Sequence, residues 1–122
     1  MYKLLLVEDE EALRELYREE LEEEYEIKCV SSGKDALNEI RKGSIHLVIL
    51  DIKMPGMDGL EVLEKILGEQ RKLPFIINSG YSHYRNNFVS WAADAYVVKS
   101  SDLSELKDTV KRVLGRYYDA RK

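Results

Sequence analysis

Residues 47–59 read LVILDIKMPGMDG, an uninterrupted apolar run that ends in an aspartate and continues into a turn-forming segment. The run Leu47–Leu50 has the length and the branched side chains of a strand that is buried on both faces. Pro55 and Gly56 favour a turn shortly after it. Asp51 therefore stands at the end of a hydrophobic strand, where a carboxylate needs a functional explanation.

Two other apolar runs end in charged residues. Leu4–Val7 leads into Glu8 and Asp9, and Ala95–Val98 ends in Lys99. The carboxyl ends of parallel strands lie at one edge of a sheet, which is where ligands bind in open α/β folds. If these strands are parallel, their charged residues converge.

Short apolar segments alternate with amphipathic stretches along the chain, a pattern that predicts an α/β fold with a parallel sheet and helices on both faces. The predicted strands are Lys3–Val7, Ile27–Val30, Leu47–Leu50, Phe75–Asn78 and Ala95–Val98. Helical spacing of apolar residues predicts five helical segments. They are a first helix with Leu13, Leu16, Tyr17 and Leu21, then Lys34–Lys42, a third from Asp58 or Gly59 to Leu67, an irregular fourth over Ser82–Ala93, and a last helix from Ser101 and Asp102 to Tyr117.

The bulk composition restricts the class of protein. A chain of 122 residues with a net charge of −4 is sized for one domain and has no basic surface for nucleic acid or anionic membranes. Its apolar runs are too short for a membrane span or a signal peptide, which predicts a cytoplasmic protein. Cys29, the single cysteine, is expected to be half-buried in a strand.

The converging strand ends suggest a chemistry. Two carboxylates about 4 Å apart repel by roughly 4 kcal/mol at an effective dielectric near 20, so a cluster needs a proton or a cation. An oxygen-rich cluster suits Mg²⁺. With Lys99 and the Ser79 hydroxyl nearby, Asp51 is placed to receive a phosphoryl group.

Three blocks of sequence, residues 5–10 (LLVEDE), 50–59 (LDIKMPGMDG) and 93–99 (ADAYVVK), carry a family resemblance. Over nearly its whole length the chain resembles the receiver domain of two-component response regulators, the CheY-like superfamily. The resemblance implies a doubly wound, flavodoxin-like sheet of five parallel strands in the order 2-1-3-4-5. It also implies that residues 1–122 are a single, stand-alone receiver domain.

The resemblance assigns roles to individual residues, which are expectations at this point. Asp51 matches the phosphoacceptor, Lys99 the lysine that pairs with the phosphoryl oxygens, and Ser79 the hydroxyl that moves toward them. Tyr96 matches the aromatic switch residue. The Mg²⁺ ligands would be Glu8, Asp9, Asp51 and the backbone carbonyl of Lys53.

The family also implies partners and an output surface. A sensor histidine kinase or a histidine phosphotransfer protein would supply the phosphoryl group, and a downstream protein target would bind the face made by the fourth helix, the fifth strand and the last helix. No nucleic-acid or membrane partner is expected, and the protein would be a monomer or a weak dimer. Such domains are not conventional enzymes beyond self-phosphorylation and slow autodephosphorylation.

The chain departs from the family pattern near the site. Ser100 follows Lys99, where the family usually has a proline after a cis bond. A cis bond without proline costs about 2.5 to 4 kcal/mol, which favours trans, but the sequence leaves the isomer of this peptide open. Gly80 stands where the family often has alanine, and the segment from Ser79 to Tyr96 is shorter than usual. We therefore hypothesise that the output surface of this protein is unusual.

Other interpretations remain open. The fold could serve as an interaction module without phosphorylation, as an aspartyl-phosphate phosphatase, for which Lys53 stands in place of the expected second acid, or as a flavin protein. Asp9 or Glu10 could cap the first helix, and Tyr96 could be a packing residue. His46 and His83 have no partner at ligand spacing and are expected at surface or loop positions, and Trp91 is expected to pack.

Overall fold

The five predicted strands form one parallel sheet. The structure is a computed structural model that describes residues 1–51, 64–65, 73–80, 93–100 and 102–118. The strands are β1 (Lys3–Val7), β2 (Glu26–Val30), β3 (Leu47–Leu50), β4 (Phe75–Ser79) and β5 (Ala95–Val98). Their order in the sheet is β2-β1-β3-β4-β5, and every neighbouring pair is parallel. The predicted fold class and strand order are therefore confirmed.

Helices cover both faces of the sheet. The described helices are α1 (Glu11–Leu21), α2 (Gly33–Arg41) and a C-terminal helix (Ser104–Tyr117). One face of the sheet packs with α2 through Ala36, Leu37 and Ile40. The other packs with α1 and with the C-terminal helix, whose buried residues include Val110 and Val113. Since β1 and β3 are buried on both faces, their continuous apolar sequences are explained.

Local sequence signals fix some helix ends. The side chain of Ser32 accepts a hydrogen bond from the backbone N–H of Asp35 at 3.2 Å and caps the start of α2. Beyond the end of α2, Gly43 has a φ of 84°, the left-handed conformation that glycine adopts without strain. The prediction of a stop at Gly43 is confirmed.

Element boundaries differ slightly from the predicted ones. β2 begins at Glu26 and β4 extends to Ser79, because backbone hydrogen bonds continue beyond the apolar residues. The C-terminal helix begins at Ser104, later than predicted, because Asp102 accepts hydrogen bonds from the backbone N–H and the hydroxyl of Ser104. Leu16, expected on the apolar stripe of α1, is 41% exposed.

Much of two predicted helices lies outside the described residues. Glu64 and Lys65 are helical, within the predicted third helix, and the remainder of Asp58–Leu67 is not described. The predicted fourth segment, Ser82–Ala93, is described only at Ala93, which is buried.

An aromatic cluster closes the amino end of the sheet. The ring of His46, half-buried in the loop before β3, lies 5.3 Å from the ring of Tyr2 and 5.4 Å from that of Tyr118. The backbone N–H of Lys3 donates to Nδ1 of His46 at 2.9 Å. The loop position expected for His46 is confirmed, whereas His83 and Trp91 lie outside the described residues. None of the helices in the described ranges combines the length and apolar character that a membrane span requires.

Candidate functional site

The carboxyl ends of β1, β3 and β5 bring three charged residues together. Glu8 follows β1, Asp51 follows β3 and Lys99 follows β5. The sheet hydrogen bonds continue through these residues: the N–H of Glu8 donates to the carbonyl of Val30 at 3.1 Å, and that of Asp51 to Val7 at 3.0 Å. The backbone of the site is therefore as rigid as the sheet.

The Lys99 ammonium links two buried carboxylates. Its Nζ lies 2.7 Å from Oε1 of Glu8 and 3.0 Å from Oδ2 of Asp51. Glu8 is 1% exposed and Asp51 4% exposed, so these ion pairs are shielded from water on the carboxylate side. Charged groups are fully buried in proteins only when they are paired. The predicted convergence of Glu8, Asp51 and Lys99 is thus observed.

Glu8 is held on both oxygens. Besides the contact of Oε1 with Lys99, Oε2 accepts a hydrogen bond from the backbone N–H of Glu10 at 3.2 Å. Burial raises the pKa of Glu8 to about 7, against the opposing hydrogen bond from Lys99, and the nearby charge of Asp51 adds to the rise. Without a bound cation, Glu8 is therefore about half protonated near neutral pH, where a free glutamate would be ionised.

Burial acts to lower the pKa of Lys99, but its hydrogen bonds to Glu8 and Asp51 and their charges outweigh that effect, so the pKa lies above its usual value. The lysine is therefore a permanent cation at physiological pH. It is positioned to attract a second anionic group at Asp51.

Three carboxylates could share one cation. Oxygens of Glu8, Asp9 and Asp51 lie within 4.8 Å of one another, and Asp9 is exposed on the open side. An all-oxygen donor set that leaves room for water is the set that Mg²⁺ prefers. The residues present therefore fit a hard divalent cation, whose charge would offset both the burial of Glu8 and its repulsion from Asp51. Lys53, the fourth predicted ligand, lies outside the described residues.

Arg14 on α1 stabilises the acidic loop, a role that sequence reasoning missed. Its Nη1 donates to the backbone carbonyls of Glu8 and Asp9, at 2.9 and 3.0 Å. Glu10 occupies the N-cap position of α1 but makes no side-chain cap hydrogen bond. The interpretation of Glu10 as a side-chain cap is therefore wrong; instead, the backbone N–H of Glu10 donates to Oε2 of Glu8.

The remaining predicted residues lie around this centre. Ser79 is fully buried at the end of β4, and its carbonyl accepts a hydrogen bond from the N–H of Lys99 at 2.6 Å. Tyr96 is buried on β5, on the α2 face of the sheet. No peptide bond among the described residues is cis, so Lys99–Ser100, whose isomer the sequence left open, is trans. Cys29 is half-buried in β2, and burial raises the pKa of its thiol.

Asn78 and Tyr17 were also missed by sequence reasoning. Both are buried, Tyr17 on α1 and Asn78 one residue beyond the paired Leu50 and Ile77, which places it beside Asp51 at the strand ends. The available signal was an asparagine inside an otherwise apolar strand, since asparagine is depleted in strands.

The fold and the acidic cluster define a class of signalling domain, and comparison with known proteins identifies it. Residues 4–111 match the response regulator receiver domain family. The chain belongs to this family, and it is therefore a receiver domain of the two-component response regulators. The resemblance noted from the sequence is confirmed.

Among curated relatives, the response regulator ArlR of Staphylococcus aureus is 33% identical over 119 residues, which cover 95% of this chain and 54% of ArlR. The chain thus spans about half the length of the curated relatives that it matches.

Solved structures include a protein of higher sequence identity, TrrA, and a further receiver domain of lower identity. The response regulator TrrA from Thermotoga maritima, in complex with Mg²⁺ and beryllium fluoride, is 49% identical, with a TM-score of 0.86 and coverage of 92% of this chain and 98% of TrrA. A structure of the histidine kinase ThkA in complex with TrrA matches with 49% identity, a TM-score of 0.86 and coverage of 93% and 99%. A CheY-like receiver domain protein from Methanospirillum hungatei is 28% identical with a TM-score of 0.90 and 98% coverage of both chains.

Proposed function

We propose that this receiver domain accepts a phosphoryl group on Asp51 from a sensor histidine kinase or a histidine phosphotransfer protein, with Mg²⁺ bound beside it. The observation that carries the proposal is the ammonium of Lys99, 3.0 Å from Oδ2 of Asp51 within a cluster of three carboxylates. The complexes of TrrA with Mg²⁺ and beryllium fluoride and with the kinase ThkA support it.

In the proposed step an oxygen of Asp51 attacks phosphorus in line while the bond from phosphorus to the donor's leaving atom breaks. Lys99 is 21% exposed, so its ammonium can face the open side of the pocket and bind an oxygen of the transferred group. Glu8, Asp9, Asp51 and the carbonyl of Lys53 would hold Mg²⁺. The cation, when bound, neutralises charge on the phosphoryl oxygens.

Burial of Asp51 contributes to the reaction in two ways. Because its carboxylate is 4% exposed, few water molecules need to leave before it can attack, and hydrolysis of the product is restricted. The rigid backbone of β3 fixes the direction of attack, which lowers the entropic part of the barrier.

The response to phosphorylation would begin at Ser79 and Lys99. A phosphoryl group adds roughly −1.5 to −2 charge, which the Ser79 hydroxyl and the ammonium can both contact. We propose that Tyr96 then changes its packing and that a downstream protein binds the face built from the fourth helical segment, β5 and the C-terminal helix. Action as a stand-alone domain of residues 1–122, in the cytoplasm and as a monomer or weak dimer, stays a prediction.

Phosphorylation is tested with purified protein, acetyl phosphate and Mg²⁺, followed by intact mass and peptide mapping. We expect the mass of one phosphoryl group on Asp51, lost in excess EDTA and absent in Asp51→Asn. Asp35→Asn, which neutralises an exposed acid on α2, serves as the matched control and should be modified like the wild type. A folded wild-type protein that gains no mass would contradict the proposal and favour an unphosphorylated interaction module.

A further inference from the structure

Arg14 directs its side chain toward backbone oxygens. It is half-buried near the start of α1, and its Nη1 donates to the carbonyls of Glu8 and Asp9 at 2.9 and 3.0 Å. A cation near the first turn of a helix lies at the unfavourable end of the helix dipole, so helix stability does not explain this residue. Arg18, one turn further along α1, instead forms ion pairs at the surface with two neighbouring glutamates. The backbone contacts of Arg14 therefore require a different explanation.

The two carbonyls belong to the two peptide units on either side of Asp9. Just before them the chain is fixed by the sheet, because the N–H of Glu8 donates to the carbonyl of Val30 at 3.1 Å. Just after them it is fixed by α1, in which the N–H of Arg14 donates to the carbonyl of Glu10 at 3.0 Å. Peptide units are planar, so holding both units sets the backbone dihedral angles of Asp9. The direction in which its side chain leaves the backbone is set with them.

Asp9 depends on its backbone more than the other two acids of the site do. Glu8 and Asp51 are 1% and 4% exposed and are bridged by the Lys99 ammonium, whereas Asp9 is exposed. The three carboxylates nevertheless offer oxygens within 4.8 Å of one another. Mg²⁺ requires near-octahedral geometry at about 2.0–2.1 Å, so a carboxylate that is free to swing binds it less well.

We propose that Arg14 is a positioning residue for Mg²⁺ binding, which holds the two peptide units beside Asp9 so that its carboxylate shares one cation with those of Glu8 and Asp51. This inference rests on the proposed function, because it concerns the cation of the same site. Arg14 acts through the backbone and is not itself a ligand. Residues that orient metal ligands change metal affinity by about 10- to 100-fold when they are replaced.

Positioning and simple electrostatics predict opposite effects of removing Arg14. The guanidinium is a positive charge close to a cation site, so loss of that charge alone would strengthen cation binding. Loss of the two carbonyl hydrogen bonds would weaken it. The direction of the change in Mg²⁺ affinity therefore separates the two explanations.

The test is calorimetric titration of the intact protein with Mg²⁺, after circular dichroism has shown that each variant is folded. We expect Arg14→Met, which keeps the apolar stem, to bind Mg²⁺ about tenfold more weakly than the wild type. Arg14→Gln, too short to reach both carbonyls, should show a similar loss, and it decides the question if Arg14→Met does not fold. Arg18→Met is the matched control, because it removes the same charge from the same helix but breaks only the 3.7 Å ion pairs with Glu15 and Glu22. Its Mg²⁺ affinity should stay within about twofold of the wild type.

A second measurement separates positioning from general damage to the fold. The rate of phosphorylation by acetyl phosphate is followed as the Mg²⁺ concentration is varied. Arg14→Met should need about tenfold more Mg²⁺ for half of its maximal rate, which is the expected loss of affinity. The maximal rate should stay within about twofold of the wild type, because Asp51 and Lys99 are unchanged.

Mg²⁺ binding as tight as in the wild type, or tighter, in Arg14→Met and Arg14→Gln would overturn the inference. So would a lower maximal rate with an unchanged Mg²⁺ requirement, or an equal loss of affinity in Arg18→Met. A wild-type protein that gains no phosphoryl group at any Mg²⁺ concentration would overturn the proposed function instead, and calorimetry would still decide the role of Arg14.

Discussion

At the scale of single residues, Glu8 makes stability depend on pH. Its pKa is about 7 in the folded, cation-free protein and 4.5 ordinarily. A raised carboxyl pKa means that the folded state binds more protons, so the stabilisation is full below about pH 4.5 and is lost as pH rises through about 7. The loss is on the order of 3 to 4 kcal/mol, since the pKa differs by about 2.5 units and each unit is worth about 1.4 kcal/mol.

The measurement is urea unfolding in EDTA from about pH 4 to about pH 8, for the wild type and Glu8→Gln. We expect the wild type to lose stability relative to Glu8→Gln across this range, by that amount. Parallel curves for the two proteins would contradict the assignment of the pH dependence to Glu8.

Lys99 competes with a cation for the same two carboxylates. In Lys99→Met, the buried oxygens of Glu8 and Asp51 lose their ammonium partner at 2.7 and 3.0 Å. Loss of the lysine raises the pKa of Glu8 further, because the hydrogen bond and charge of Lys99 lower it. At a pH high enough to ionise Glu8 in the variant, we expect Mg²⁺ to bind roughly tenfold more tightly, while the cation-free fold loses about 2–4 kcal/mol. Calorimetric titration and urea unfolding measure the two effects, and Lys42→Met, an exposed lysine, is the control. Weaker Mg²⁺ binding would contradict this prediction.

The residues found from sequence and those missed differ in what determines their position. Glu8, Asp51 and Lys99 directly follow apolar runs, so strand geometry alone places them at one edge. Tyr17 and Asn78 are also buried, but they lie inside predicted elements and not directly after an apolar run, so strand geometry alone assigns them no place in the site.

At the scale of secondary structure, Ser32 tests the capping of α2. Its hydroxyl oxygen satisfies the N–H of Asp35, one of the first-turn donors that lack a helical partner. We expect Ser32→Ala to lower the free energy of unfolding by about 1 kcal/mol. The neighbouring Ser31→Ala should change it little, and urea unfolding compares the two variants. Equal losses would show that the cap is not the cause.

The side chain of Asp94 joins the C-terminal helix to the sheet. The hydroxyl of Tyr117 donates to Oδ1 of Asp94 at 2.6 Å, and the N–H of Phe75 donates to Oδ2 at 2.7 Å. Burial and the Asp94 carboxylate raise the pKa of Tyr117 to about 12, which keeps the phenol a donor at neutral pH. We expect Tyr117→Phe to cost about 1–2 kcal/mol in urea unfolding, because a hydrogen bond to a charged group is lost.

A double-mutant cycle with Asp94→Asn isolates that bond. The double variant should lose less unfolding free energy than the sum of the losses in the two single variants, because both changes remove the same contact. Strict additivity would contradict a direct interaction between Tyr117 and Asp94.

The presence of a strand or helix could be predicted where the pattern of apolar residues was strong. Its first and last residues could be predicted less well. The strands follow from short apolar runs between helical stretches, yet β4 extends one residue beyond the predicted Asn78, to Ser79, because ladder hydrogen bonds tolerate polar side chains there. The start of the C-terminal helix was misplaced because Asp102 binds Ser104 locally instead of beginning the helix itself.

At the scale of the whole molecule, the site exists only when the sheet is complete. Asp51 and Lys99 are 48 positions apart in sequence, and they meet because β3, β4 and β5 are adjacent in the sheet. Neither β1 nor β5 by itself can bring the lysine ammonium next to the carboxylates of the site. Binding at the strand ends is therefore coupled to global unfolding rather than to the stability of one element.

This coupling predicts that ligands of the site stabilise the entire fold. A ligand at about 100 times its dissociation constant adds about 2.7 kcal/mol when only the folded state binds it. We expect Mg²⁺ with beryllium fluoride, the pair bound in the TrrA structure, to raise the unfolding free energy by about that amount and shift all spectroscopic probes together. Asp51→Asn should lose the beryllium fluoride contribution, whereas Asp35→Asn should keep it. A shift in the wild type that Asp51→Asn also shows would place the ligand elsewhere.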